Sequence, residues 1–274
     1  MIEVKKTDVV ILNWLRPNNI KEKIIPILLE SKFINNIIVS HGRLDTYFEY
    51  KDERVISLDH SQFNKKYGLA LRFICKDYLK MESVLILDDD ILIKKKHVDD
   101  LVKKYIEKPD FIHGYYGRIV SNNIIPYGLV NEKGFIVDSM IKYIPINAFS
   151  LLIHKKRVEN NIALTKMMII PLECYELFND YCDKINPFMK KKSSPLWNGE
   201  DITINLLWMK KKGRKAIIHK TFEKIQDTGN DSIAISGGNS IVRNIKHNHY
   251  RIICVKEICK IINLRLNKYG DILN

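Results

Sequence analysis

Between Ser83 and Ile93 the chain reads SVLILDDDILI, four apolar residues running into Asp88, Asp89 and Asp90 and then three more apolar residues. A short apolar run that stops abruptly at charge reads as a buried strand. Three adjacent carboxylates repel one another, and the crowding is unfavourable unless a cation or hydrogen-bond donors offset it. An acidic surface turn, with Asp88 capping the next element, is the plain alternative. Such a turn seldom needs strongly apolar segments on both sides, so the flanking residues argue for a site.

The rest of the first hundred residues sets that strand in an alternating pattern. VVIL (9 to 12), NIIVS (36 to 40) and RVISL (54 to 58) read as strands. IKEKIIPILLESKF and YGLALRFICKDYLK (67 to 80) have apolar residues at helical spacing, and Pro26 implies a kink or a late start in the first. Strands alternating with helices predict an α/β fold with a mostly parallel central sheet flanked by helices. Ligands of such sheets collect beyond the carboxyl ends of the strands, which is where Asp88 to Asp90 fall. No GxGxxG and no GxxxxGK[ST] occurs, so the phosphate-binding turns of dinucleotide and P-loop proteins are missing.

Strand alternation makes Asp88 and Asp90 face the same way, leaving Asp89 for another contact. Hard carboxylate oxygens suit Mg²⁺ or Mn²⁺, which take one or two protein carboxylates and complete their shell with water and phosphate oxygens. A second acidic feature is WNGED, Trp197 to Asp201, at the start of a predicted helix ending at Gly213. Glu200 and Asp201 there either complement the helix dipole or, in the sharper reading, put a catalytic carboxylate near the metal. The histidines His113, His154 and His247 lack metal-ligand spacing, and Trp14, Trp197 and Trp208 can be core residues.

The second half is less regular. FIHGYYGRIV, YGLVNEKGFIV and YIPINAFSLLI read as strands, PLECYELFNDYCDKI as a helix, residues 226 to 240 as a mobile loop, and Ile252 to Leu266 as a final helix. A net charge of +13 favours anionic partners without choosing among them. A basic nucleic-acid-binding protein or metal-dependent nuclease is the rival from another class, although no recognisable nucleic-acid module occurs. The five cysteines form no CxxC pair, which argues against a zinc ribbon or a complete disulfide framework and for a reducing compartment. No apolar run is long enough to span a membrane, and the expectation is a soluble, cytoplasmic chain with oligomeric state left open, a dimer included.

DDD and GED in this order, about 110 residues apart, resemble a metal-dependent GT-A glycosyltransferase of the exostosin-like family, family 64. The resemblance covers roughly residues 7 to 265. VVILNWLRP resembles the family's opening strand and its Tyr-Asn-Arg segment, with Asn13 and Arg16 at the matching places. Arg72, sixteen residues before Asp88, matches the spacing of a diphosphate-contacting arginine. PDFIHGYYGR, NGEDITINLL and the Arg251 to Cys254 stretch of HNHYRIIC are similar to three further family segments.

The resemblance implies one catalytic domain over 1–274, with a nucleotide-binding half at 1–95 and an acceptor-side half at 96–274. It implies transfer from a UDP-sugar to a glycan or other hydroxyl acceptor, with retention and with no specific nucleic-acid partner. The sugar would be an N-acetylhexosamine or related hexose. Asp90 and Asp88 would hold Mn²⁺ or Mg²⁺, while Asn13, Arg16, Arg72, Asp88, Asp89 and Arg251 would bind the donor. Asp201, with Glu200, would be catalytic. The chain departs from the family at Ser40, His41 and Gly42, where Trp-Asn-Asn is usual, and at Ser150 to Ile153 before His154. Gly199 stands where secretory members carry a cysteine bonded to the counterpart of Cys254.

Overall fold

The computed structural model describes residues 5–121, 142–146, 158–160, 162–192, 199–221, 223, 225–228, 251, 253–266 and 272–273. The main sheet uses β1 (Thr7–Asn13), β2 (Ile34–His41), β3 (Val55–Asp59), β4 (Ser83–Asp88), β6 (His113–Gly114), β9 (Val158–Asn160), β11 (Met167–Pro171) and β12 (Ala216–Ile218). Its order is β3-β2-β1-β4-β11-β6-β12-β9. The four strands from β3 to β4 pair in parallel, as do β6 and β12, whereas β11 runs antiparallel to both β4 and β6. The expected α/β architecture with a mostly parallel sheet is present.

Both faces of the sheet are covered, which is why β1 and β4 are apolar almost without interruption. Val9, Ile11, Ile37, Val39, Leu85 and Leu87 pack on one face against Ile20 to Leu28 and against Val98, Leu101 and Val102 of the helix Lys95–Glu107. Val10, Ile38, Val84 and Ile86 pack on the other, against the helices Glu173–Lys192 and Glu200–Lys212 and the segment Cys254 to Ile262. Alternate residues of each strand thus supply two cores. Pro26 does not mark a late start: the helical run is continuous from Pro17 to Leu29, and the π-helical stretch at Ile20–Ile24 stands just ahead of the proline ring.

Three further expectations are corrected. The amphipathic helix over 67–80 does not form: a turn at Asn64–Tyr67 gives way to 3-10 turns at Gly68–Phe73 and Lys76–Tyr78. The break is at Gly68, whose φ of 52° leaves the right-handed helical region. The final helix runs only through Ile261; Asn263 takes a φ of 50°, the Leu264 N–H donates to the Cys259 carbonyl at 2.8 Å, and Arg265–Leu266 then pairs with Ile272–Leu273. That is a helix closed by a left-handed residue and a six-to-one hydrogen bond.

The third correction concerns the loop at 226 to 240. Its start is ordered by pairing, since β13 (Gln226–Asp227) runs antiparallel to β5 (Ile91–Leu92). FIHGYYGRIV divides into β6 and β7 (Gly117–Ser121), which lie in different sheets, β7 pairing with β8 (Lys142–Ile146) and β10 (Ile162–Ala163). The predicted strand at YGLVNEKGFIV, residues 229 to 240, Trp197, His154 and His247 lie outside the described residues. Among the described residues no helix is long and apolar enough to cross a membrane.

Candidate active site

The three aspartates after β4 have three different partners. Asp88 accepts a 2.5 Å bond from Nη1 of Arg72. Asp89 turns beneath the chain leaving β1: its Oδ2 accepts the backbone N–H groups of Trp14, Leu15 and Arg16 at 3.1, 3.2 and 3.3 Å, and its Oδ1 accepts from Nη1 of Arg16 at 3.2 Å. Burial pushes the Asp89 carboxyl above its usual range, against the pull of those N–H groups and of Arg16. Asp90 sets its Oδ2 3.9 Å from Nζ of Lys166, while its carbonyl accepts from the N–H and hydroxyl of Thr228 at 2.7 and 2.8 Å. The middle carboxylate therefore holds the β1 turn, and the outer two face ionic partners.

Arg72 belongs to the 3-10 turn Gly68–Phe73 and is only 3% exposed. Its Nε donates to the Leu69 carbonyl at 3.1 Å, which aims the guanidinium at Asp88 and, across 3.9 Å, at Glu200. Burial opposes its charge, but Asp88, Glu200 and Asp201 outweigh it and raise its pKa. The turn that replaced the expected helix thus delivers the arginine to the site.

Glu200 and Asp201 open the helix Glu200–Lys212 and are both buried. Gly199 precedes them at φ 145°, a conformation that favours glycine, and its carbonyl accepts both the N–H and the hydroxyl of Thr203 at 2.9 Å. Glu200 accepts the Gly199 N–H at 3.0 Å and lies 3.5 Å from the Thr165 hydroxyl. Burial, then Asp201, raises the Glu200 pKa against Arg72 and Arg251. Asp201 accepts from Nη2 of Arg251 through Oδ2 and from the Ile202 N–H at 2.8 Å through Oδ1. Both acids lie in the first turn of the helix, where its dipole favours them, but neither is a solvated surface charge.

Asn13 closes β1, its amide donating to the Thr46 carbonyl at 2.7 Å and meeting Nδ1 of His41 at 2.8 Å. Burial lowers the His41 pKa to about 4, so the ring is neutral at pH 7. Arg72, Asp88, Glu200, Asp201 and Arg251 form one charged cluster; Asn13, Arg16 and Asp89 form the wall beside it. Three residues escaped sequence reading. Thr165 and Lys166 lie on the short connection into β11, and the apolar run MMII ahead of Pro171 was the signal that could have found that strand. The third, Asn205, ties the helix to β10 by accepting the Ala163 N–H and donating to the Ala163 carbonyl, both at 2.9 Å.

For a divalent metal the donors on hand are the carboxylates of Asp88 and Asp90. Two hard oxygen ligands are what Mg²⁺ or Mn²⁺ takes from protein when phosphate and water complete the shell, so the residues fit the ion. Among the described residues no group of three or more His, Cys, Asp and Glu side chains is arranged to hold one. His113 is stacked on His219 with a 2.8 Å contact between ring nitrogens and lies apart from the carboxylates in these contacts.

The family model described as the glycosyl transferase family 64 domain matches residues 7–269. No curated protein matches the sequence. Among solved structures, the crystal structure of S. aureus TarS 1-349 is similar at a TM-score of 0.46 and 13% identity, over 82% of this chain and 60% of that one. The chain therefore spans less than two thirds of that neighbour's length.

Proposed function

We infer the reaction from the premise that the chain belongs to glycosyl transferase family 64 and is a glycosyltransferase: it moves a hexose or N-acetylhexosamine from a UDP-sugar to a hydroxyl of a glycan acceptor, with retention, on a GT-A fold. The observation that carries this reading is the convergence of Arg72, Asp88, Glu200, Asp201 and Arg251, from three distant stretches of sequence, into one charged cluster, buried except at Asp88. Two arginines beside carboxylates suit a ligand that brings its own negative charge, and planar guanidinium groups match diphosphate oxygens in two-point contact.

In this reading Arg72 and Arg251 bind the diphosphate and neutralise the charge that grows on departing UDP, the step that most needs electrostatic help. Asp90 and Asp88 would hold Mn²⁺ or Mg²⁺, which supplies Lewis-acid neutralisation of the same charge when bound. Asp201 sets its carboxylate beside the anomeric carbon, where positive charge develops. Asn13 and the turn held by Asp89 and Arg16 form the wall for the nucleoside. The five free cysteines support a reducing, cytoplasmic setting.

Calorimetric titration of UDP into the protein with Mn²⁺, with EDTA, and after Asp90→Ala tests the donor site. Metal-dependent binding that the substitution abolishes is expected. Absence of UDP binding under every condition, with salt-sensitive binding of DNA or RNA, would overturn the reading in favour of a nucleic-acid ligand.

A further inference from the structure

The guanidinium that suits a diphosphate is bonded at 2.5 Å to Asp88, the carboxylate that suits a metal. We propose that Arg72 and Asp88 guard each other, so that metal alone and UDP alone bind weakly and the two together bind by an exchange of partners. The proposal rests on the donor-site reading above and concerns the order and coupling of binding.

Arg72 is almost fully buried, whereas Asp88 is 22% exposed at the end of β4. A metal ion reaching Asp88 alone must displace a guanidinium that cannot follow the carboxylate into water, because Nε is fixed to the Leu69 carbonyl. The arginine would be left facing Glu200 at 3.9 Å, too far for a hydrogen bond. A diphosphate reaching Arg72 alone meets Asp88 already in place, and like charges repel. When both arrive, Asp88 passes to the cation and Arg72 to the diphosphate, and no charge in the buried cluster is left without a counter-charge. Coupling of this kind is reciprocal: each ligand must raise the other's affinity by the same factor. Arg251 pairs with Asp201 instead, so its removal should not release a metal ligand.

The test is binding of Mn²⁺ alone, followed by electron paramagnetic resonance of the free ion or by calorimetry, and binding of UDP in EDTA. Arg72→Met should bind Mn²⁺ alone roughly tenfold more tightly than the parent, the size of a 1.4 kcal/mol change, while binding UDP with Mn²⁺ more weakly. Arg251→Met should weaken UDP binding without the gain in Mn²⁺ affinity. Asp88→Asn should show the reverse arm, tighter UDP binding in EDTA and weaker Mn²⁺ binding, and it carries the test alone if Arg72→Met does not fold. Unchanged or weaker Mn²⁺ binding by a folded Arg72→Met protein, or an Asp88→Asn protein with no gain for metal-free UDP, would overturn the exchange. Either result alongside Mn²⁺-dependent UDP binding by the parent leaves the donor-site reading standing; no UDP binding by the parent overturns that reading itself.

Discussion

The two acidic clusters of this protein, Asp88 to Asp90 after a strand and Glu200 and Asp201 at a helix start, solve the same electrostatic problem in opposite ways. The first divides its charges among three sets of partners and leaves the outer two carboxylates near one fifth exposed, at 22% and 18%. The second buries both acids to about one twentieth and relies on Arg72 and Arg251 brought from elsewhere in the sequence. Exposure makes the Asp90 pairing with Lys166 exchangeable with little penalty, because water can replace a lost partner there. Burial makes the helix cluster dependent on its arginines, because nothing else can.

That difference can be broken most forcefully at Arg251. Arg251→Leu leaves Asp201 buried without its guanidinium and should lower stability by about 3–5 kcal/mol in urea denaturation, whereas Asp90→Asn should change it by less than about 1 kcal/mol. Equal effects would show that burial does not separate the clusters. Within the strand cluster, Asp89 is the buried exception. Asp89→Ala strips the acceptor from three N–H groups and from Arg16, and a loss of about 2–3 kcal/mol is expected.

The smallest effect is a pH dependence. The folded Glu200 carboxyl has a pKa raised chiefly by burial. Its contribution to stability is therefore full below the unfolded carboxyl pKa and declines as pH rises through the folded value. Glu200→Gln should flatten that decline, measured as the urea midpoint against pH upward from the ordinary glutamate range. A steeper decline in the variant would contradict the sign.

The clusters also differ in how visible they were in the sequence. The strand cluster announced itself, because buried parallel strands are apolar without alternation and SVLIL stops at charge. The helix start was visible as GED with a glycine exit at Gly213, whose φ of 68° closes the helix. What sequence alone concealed was the company each keeps. Arg72 reads as one residue of an amphipathic helix, yet it sits in a 3-10 turn because Gly68 breaks the helix. Gln226 and Asp227 read as polar loop, yet they pair with β5, since backbone pairing leaves no periodic mark in a two-residue strand. The family segments singled out Arg72 and Arg251 but not their pairings with Asp88 and Asp201, since contacts between residues 16 and 50 apart depend on the fold.

The reversal of β11 has a consequence for how the site can move. An antiparallel strand presents its beginning where its parallel neighbours present their ends, so the chain from Ala163 to Met167 crosses the rim of the site. Both of its anchorages are fixed: Asn205 grips the Ala163 backbone, Leu164 donates to the Tyr116 carbonyl at 2.9 Å, and the Met167 carbonyl accepts from Tyr115 at 3.3 Å. Thr165 and Lys166 are left no slack between them. This edge of the site is tied to its neighbours on both flanks and resists displacement.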